Sequence, residues 1–329
     1  MSRLPLDPDP SQAPVVRLDS GAVLVTGPPG SGKTTLLLER FARLVEGGAD
    51  PEGVALFLLS RRAVRDARED LVRRIGRSLP DLPVFTAHGF AFRVLGRRFR
   101  DAGYNAPPEI LSAPEQYATV RNLLADADPQ AWPRFGHLLG VRGFAQELAD
   151  FVLRAQERLL TPEALDDLVE RSDREEYAAV ARFYRDYLDT LVQQGQVDFA
   201  GLLFQAANLV TKDLSTDEAF AHVLVDDYQD VTPATEALLR PLARAADSVV
   251  VAADPAGHVF SFRGGTAEPL GRVAKTLGCR EHVTLARSHR LNGQADGLAA
   301  LEDPAAPPAA AAGERIEARL FAHPGEEAE

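Results

Sequence analysis

Cysteine is nearly missing from this chain. Cys279 is the single one among 329 residues, which excludes an intrachain disulfide and any Cys-rich metal or iron–sulfur site. Lysine is almost as scarce: only Lys33, Lys212 and Lys275 occur, and the other positive side chains are arginines. No apolar run is long enough to cross a bilayer. The stretch Met1 to Gln12 is polar and proline-rich, unlike the charged-then-apolar layout of a signal peptide. These lacks predict a cytoplasmic protein with no membrane partner. Hydrophobic residues make up 45% of the chain, enough for the buried core of one large or two smaller soluble domains.

The formal net charge is −12, which taken as a sum argues against nucleic acid as a partner. Its distribution argues the other way. Arg61 to Arg100 holds eleven arginines against four acidic residues, whereas Leu301 to Glu329 holds seven acidic residues and two arginines. A basic block inside an acidic chain fits either a localised phosphate-contact surface or a solvated helix face.

Because lysine is rare, the position of Lys33 is informative. It closes Gly27-Pro28-Pro29-Gly30-Ser31-Gly32-Lys33-Thr34, a G-x-x-x-x-G-K-T pattern between the apolar run Val23–Thr26 and the helical sequence from Thr35 to Phe41. Strand, glycine loop and helix in that order are the context of a phosphate-binding P-loop. Glycines let backbone N–H groups close around phosphate oxygens, and the helix that follows adds its positive dipole end. Lys33 then supplies a point charge for the terminal phosphates of ATP, and Thr34 a hydroxyl for Mg²⁺.

Further apolar runs follow at Val54–Leu59, Val84–Thr86, His222–Val225, Ser248–Ala252 and Val283–Leu285. With helical sequence between them they predict βαβ units and a parallel sheet. The stretch between Arg97 and Gly195 has a different texture. Phe144, Leu148, Phe151, Val152, Ala155 and Leu159 fall at helical spacing, as do Val180, Phe183, Tyr184, Tyr187, Leu188, Leu191 and Val192; this predicts an all-helical insert. Asp226-Asp227-Tyr228-Gln229-Asp230 and Asp254 each follow an apolar run. In an open parallel sheet that puts them on the carboxyl edge, beside the P-loop. There an acidic residue can hold Mg²⁺ and its neighbour can orient the attacking water.

Taken together, these pieces resemble the UvrD/Rep/PcrA-type DNA helicases of superfamily 1 over about residues 12–292. Gly27–Thr34 resembles their motif I, Leu58 to Ala63 with Arg68 their motif Ia, and Thr86-Ala87-His88-Gly89-Phe90 their T-x-H-x-F segment. Val197 to Leu203 is similar to V-D-F-x-x-L-L, and Val225–Asp230 to V-D-E-x-Q-D. Asp254 to Gly265, ending Phe260-Ser261-Phe262-Arg263-Gly264-Gly265, resembles motif III, and Leu285 to Arg290 motif IV. The resemblance implies an α/β fold: a P-loop NTPase with a RecA-like parallel sheet and an inserted all-helical domain. The expected domains are a flexible lead-in at 1–20, the ATP-binding domain at 21–96 plus 196–292, and the insert at 97–195. An Ala/Pro-rich linker at 293–314 and the opening of a second motor domain at 315–329 follow.

The resemblance also implies roles. Lys33, Asp226, Asp227, Gln229 and Arg290 become the hydrolytic set, with Arg290 as an arginine finger and Gln229 as a sensor of the terminal phosphate. Gly27, Pro28, Pro29, Gly30, Ser31, Gly32, Lys33, Thr34 and Thr35 hold the nucleotide, Thr34 and Asp226 hold Mg²⁺, and Gln12, 21 residues before Lys33, reads adenine. Ser60, Arg62 and His88 touch the backbone of single-stranded DNA. Phe260 and Phe262 stack on its bases beside Arg263, although F-x-F alternation also suits a buried strand.

Some positions depart from the family pattern. The motif II glutamate is Asp227, the motif III glutamine is Gly257, the motif IV tyrosine is His289 and the motif Ia aromatic is Leu59. Motifs V and VI do not occur in these 329 residues. Two functions are therefore open. One is the motor region of a 3′-to-5′ DNA helicase or translocase in DNA repair or recombination. Its degenerate motifs resemble the weaker motor of a two-motor complex, such as the AdnA-like helicase–nuclease subunits. The other is a catalytically weak ATP- and DNA-binding scaffold subunit of a larger helicase–nuclease complex. A nucleotide kinase or ABC-type ATPase would share the P-loop but leaves D-x-Q-D and F-x-F-R-G-G unexplained.

Overall fold

The structure, a computed structural model, describes residues 11–76, 81–172, 174–257 and 268–285. Its centre is a six-stranded, wholly parallel sheet in the order β3-β2-β6-β7-β1-β8. The strands are β1 (Gly21–Thr26), β2 (Val54–Phe57), β3 (Val84–Phe85), β6 (His222–Val225), β7 (Ser248–Ala253) and β8 (Glu281–Thr284). All four residues of β2 and all six of β7 are buried. That is why these strands read as continuous apolar runs: helices cover both faces of a parallel sheet.

On one face, α1 (Ala13–Val16), α2 (Lys33–Glu46) and α3 (Arg61–Ile75) close over Val23, Val25, Leu56, Leu224 and Val250. On the other, α4 (Ala87–Arg97), α9 (Phe199–Lys212), α10 (Pro233–Ala245) and α11 (Glu268–Thr276) pack on Ala55, Phe57, Val223, Val225 and Val251. Alternate residues of one strand serve opposite cores, as the two-residue period of a strand requires.

The insert builds a third core of its own. Helices α5 (Ala113–Ala125), α6 (Arg142–Glu157), α7 (Pro162–Ser172) and α8 (Ala178–Gln193) lie between β3 and β6 in sequence. Trp132, Leu148, Val152, Phe183, Tyr184 and Tyr187 are buried together there. The insert is not wholly helical. The short strands β4 (Glu109–Ile110) and β5 (Gln196–Val197) pair in parallel at its base, two residues each and too short to read from periodicity. Leu159, expected on the α6 stripe, lies past the helix end at φ 58°.

The lead-in also differs from expectation. Residues 13–16 form α1, and Val15 and Val16 are buried at 1% and 4% exposure. The cause is a charged side chain the periodicity did not expose. Arg40, on α2 and fully buried, donates to the carbonyls of Val15 (3.1 Å), Val16 (3.2 Å) and Leu18 (2.6 Å) and to Ser248 Oγ (2.8 Å). It thereby satisfies the carbonyls of Val16 and Leu18 at and past the helix end and adds a second donor to Val15 O, which also accepts from Leu18 N–H (3.3 Å). Burial pulls its pKa down to about 10, so the guanidinium stays charged at neutral pH. Arg40→Met is expected to remove the donor to the Val16 and Leu18 carbonyls and cost about 2–4 kcal/mol. A lower denaturant midpoint and faster tryptic cleavage at Arg17 would register the loss.

Candidate nucleotide site and adjoining groove

The P-loop follows β1 because glycines stand where the chain must turn tightly. Gly30 and Gly32 have φ of 78° and 87°, a region that side-chain-bearing residues rarely enter. At Gly27 the constraint is space: a Cβ would come within 2.6 Å of Ser31 Oγ and 2.8 Å of the Leu285 carbonyl oxygen. Leu285 stands at the end of β8, where its N–H donates to Thr26 O (2.7 Å). The loop is thus wedged between its own strand and the end of its neighbour.

Lys33 opens α2 and turns back over the loop. Its Nζ donates to Gly27 O (2.5 Å) and Pro28 O (3.0 Å). Burial lowers the lysine pKa, and the nearby Asp254, Asp226 and Asp227 oppose that fall. Thr34 Oγ1 donates to Asp226 Oδ2 at 2.5 Å across 192 residues of sequence. This bond joins the P-loop helix to the end of β6, with β7 lying between the two strands.

The acidic turn after β6 is held from several sides. Asp227 adopts a left-handed backbone at φ 50°, a conformation aspartate tolerates better than most residues. Its N–H donates to Asp226 Oδ1 (3.0 Å). Gln229 Oε1 accepts from the N–H of Asp254 (2.9 Å), and its Nε2 donates to Asp230 Oδ2 (3.2 Å). Asp226 is buried, and that burial, with the charge of Asp227 beside it, pushes its pKa up to about 6. Gly257 lies against Asp254: a Cβ there would come within 3.0 Å of its Cβ and Cγ. A side chain at this position, such as the motif III glutamine of the family pattern, would require the Asp254 side chain to shift by a few tenths of an ångström.

These residues fit a Mg²⁺-bound triphosphate. Ser31 Oγ is buried without a hydrogen-bond partner among the described residues. The glycine loop leaves a cradle, and Asp226 with Thr34 offers two hard oxygen ligands, the share a protein supplies when phosphates complete the shell. Gly27, Pro28, Pro29, Gly30, Ser31, Gly32 and Thr35 all lie in this loop or its helix. Gln12 is buried at the start of α1. Arg290, Phe260, Phe262 and Arg263 lie outside the described residues.

Further along the same carboxyl edge, a cavity of about 890 Å³ opens beyond β2, β3 and β6. Ser60, Arg61, Arg68, His88, Phe92 and Phe199 line it, and Asp226 and Asp227 form part of its wall. The cavity thus adjoins the nucleotide site. Ser60 caps α3, its Oγ accepting from Ala63 N–H (3.1 Å); β2 ends at Phe57, and Leu59 next to the cap is exposed. Arg62 is at the start of α3 with its side chain 84% exposed. Thr86 caps α4 and sets His88 in the first turn.

Sequence reasoning missed Phe199. Its ring is half exposed and stacks on His88, with centroids 3.8 Å apart and planes at 15°. Its place in the V-D-F-x-x-L-L segment was the available signal; its exposure depends on how α4 packs beside it. The two flat rings and the guanidinium groups of Arg61 and Arg68 line one cavity, the combination of stacking faces and positive charge that single-strand-binding grooves use.

The comparisons agree with this architecture. The UvrD/REP helicase N-terminal domain matches residues 8–277. DNA helicase II of Haemophilus influenzae is 25% identical over 281 residues, covering 82% of this chain and 36% of that protein. The ATP-dependent DNA helicase PcrA of Bacillus subtilis is 25% identical over 264 residues, 78% of this chain and 34% of that protein. The ATP-dependent DNA helicase UvrD2 of Mycobacterium bovis is 26% identical over 312 residues, 88% and 42% of the two chains. The chain therefore spans well under half the length of these curated relatives. Among its described residues no helix is long and apolar enough to cross a membrane. A match over residues 8–277, on a parallel sheet with the P-loop and acidic turn on one edge, means that this chain belongs to the UvrD/REP helicase N-terminal domain family.

Proposed function

We propose that this chain is the ATP-binding motor region of a DNA helicase or translocase that moves 3′ to 5′ on single-stranded DNA, in repair or recombination within the cytoplasm. The Thr34–Asp226 hydrogen bond carries the reading: it joins two sequence-distant motifs into one phosphate and metal site, on the wall of an aromatic, arginine-rimmed cavity. The proposed division is 21–96 plus 196–292 for the motor domain and 97–195 for the insert, with 293–314 as linker and 315–329 opening a second lobe.

In this reading the P-loop amides and Lys33 take the terminal phosphates, and Gln12 takes adenine. Bound Mg²⁺ supplies charge neutralisation for the transferring phosphoryl group, held by Thr34 and Asp226. Asp227 orients or deprotonates the attacking water, and Gln229, already bonded to the backbone of Asp254, senses the terminal phosphate. Arg290, five residues after Leu285 in sequence, is assigned the arginine finger by the family resemblance alone. Ser60, Arg62 and the His88–Phe199 pair receive the DNA, with Phe260, Phe262 and Arg263 completing the path.

The scaffold reading rests on Asp227. Its carboxylate is one methylene shorter than glutamate's, and misplacement by about 1 Å can cost about 100-fold in rate. The test is DNA-stimulated ATP turnover by the full chain and by Asp227→Glu. A working motor turns over ATP faster when single-stranded DNA is added. A scaffold with a second subunit binds both ligands with negligible turnover, and Asp227→Glu then raises the rate about tenfold or more. Failure to bind Mg·ATP at all would overturn both readings.

A further inference from the structure

Asp198 is buried at 1% exposure on the boundary between the insert and the sheet domain. Its carboxylate gathers groups from three helices. Gln156 Nε2, from α6, donates to Oδ1 (3.1 Å) and Oδ2 (2.8 Å). Tyr187 OH, from α8, donates to Oδ2 (2.7 Å), and the N–H of Gly201, in the first turn of α9, donates to Oδ1 (2.6 Å). Burial together with the nearby Asp198 charge holds the Tyr187 hydroxyl in its protonated, donating form.

A second feature shows how tightly this cluster is drawn together. A Cβ at Gly201 would lie 2.5 Å from Gln156 Oε1 and 2.9 Å from Asp198 Oδ1, so the α6 side chain rests on the α9 backbone. The next residue after Asp198 is Phe199, whose ring meets His88 of α4 over the cavity. The insert is further tied to α9 by Gln205 Nε2, which donates to Tyr104 OH (2.9 Å), and to β5 by Tyr104 OH, which donates to Gln196 O (3.1 Å).

We infer that Asp198 is a positioning residue for the nucleic-acid platform: by drawing Gln156 and Tyr187 of the insert onto the first turn of α9, it fixes the Phe199 ring against His88, so that the seating of the insert sets the affinity for a stacked base. This rests on the proposal that the cavity receives single-stranded DNA. A cap alone needs only the Gly201 N–H, which is what an N-cap aspartate ordinarily satisfies. The bonds from the insert have no part in capping. They connect a helical domain to the one aromatic pair that is both stacked and open to the cavity among the described residues.

The test uses Tyr187→Phe, which removes the hydroxyl's bonds to Asp198 and Gln116 and keeps the ring, alongside Phe199→Ala and the double variant in the full chain. The probe is a single-stranded oligonucleotide carrying 2-aminopurine. Tyr187→Phe is expected to weaken oligonucleotide binding about three- to tenfold and to reduce quenching of the probe base. Mg·ATP affinity and DNA-independent turnover stay within about twofold, because no nucleotide contact is touched. The double variant binds no more weakly than Phe199→Ala alone, since the hydroxyl acts through that ring. A Tyr187→Phe protein with a lower melting temperature but unchanged DNA affinity and quenching would sink the inference, and so would full additivity with Phe199→Ala. If the wild-type chain binds no single-stranded DNA, the cavity reading falls and this inference with it. Normal wild-type binding with an indifferent Tyr187→Phe removes the inference alone.

Discussion

Replacing Asp226 by asparagine is expected to lower ATP turnover at least about 100-fold and, in the same protein without nucleotide, to raise the melting temperature. The two effects share one cause. Asp226 is buried beside Asp227, and its pKa rises from the ordinary 3.8 to about 6. The folded state therefore holds that proton more tightly than the unfolded chain does. Stability falls as the pH rises from about 4 through about 6, and the cost is fully present at pH 7. A shift of this kind corresponds to about 1–3 kcal/mol. Asparagine carries no charge and removes the cost.

Asparagine also keeps the local bonds. Its Oδ1 can accept from the Asp227 N–H, as Asp226 Oδ1 does, and its Nδ2 can donate to Thr34 Oγ1, whose hydroxyl reverses from donor to acceptor. What is lost is the anionic oxygen for Mg²⁺. Calorimetry without ligand, paired with turnover at saturating ATP, separates the two effects. The wild type adds a pH signature. A metal ligand must be ionised, so Mg²⁺-dependent nucleotide binding weakens below about pH 6, by about tenfold per unit. Asp226→Asn should show no such limb. A variant that loses turnover and also melts earlier would show that Asp226 supports the fold instead of straining it.

Much of this arrangement was legible in the sequence because it follows from short-range rules. A strand buried on both faces reads as an apolar run, and β1, β6 and β7 all do. G-x-x-x-x-G-K-T has few alternatives once a strand precedes it and a helix follows. The sheet rule, ligands at the carboxyl edge, places Asp226 and Asp254 beside Lys33 from the order of strands and loops alone. What remained hidden depends on long-range partners. Arg40 is a charged residue on an amphipathic helix, and nothing local says that it turns inward to the carbonyls of α1. Phe199 reads as the start of a core helix, and only the placement of α4 turns it into an exposed partner for His88. The β4–β5 pair offers no period at all. Gly257 reads as a departure from the motif III glutamine, and its close approach to the Asp254 side chain has no local signal in the sequence.

Lys33→Met is expected to weaken Mg·ATP binding by about 100-fold or more while leaving single-stranded DNA affinity within about threefold. Methionine keeps much of the stem volume and removes the charge. The lost interactions are charge-assisted hydrogen bonds to phosphate, each worth about 1.5–3 kcal/mol, and two of them account for the expected loss. Lys33 also offsets the field of Asp254, Asp226 and Asp227, and it is one of the groups that hold the Asp226 pKa down. Without it, the Asp226 proton is bound more tightly, so any residual Mg²⁺-dependent binding should fade at a higher pH than in the wild type. The DNA surface is expected to be spared because its groups sit on other elements. Ser60 follows β2, His88 follows β3 and Phe199 starts α9, whereas Lys33 follows β1, with β6 and β7 standing between β1 and β2 in the sheet. Titrations with a fluorescent ATP analogue and a labelled oligonucleotide read the two affinities separately. Collapse of both would mean that the P-loop and the aromatic groove are one cooperative unit even without nucleotide, joined through the Asp226–Asp227 wall they share.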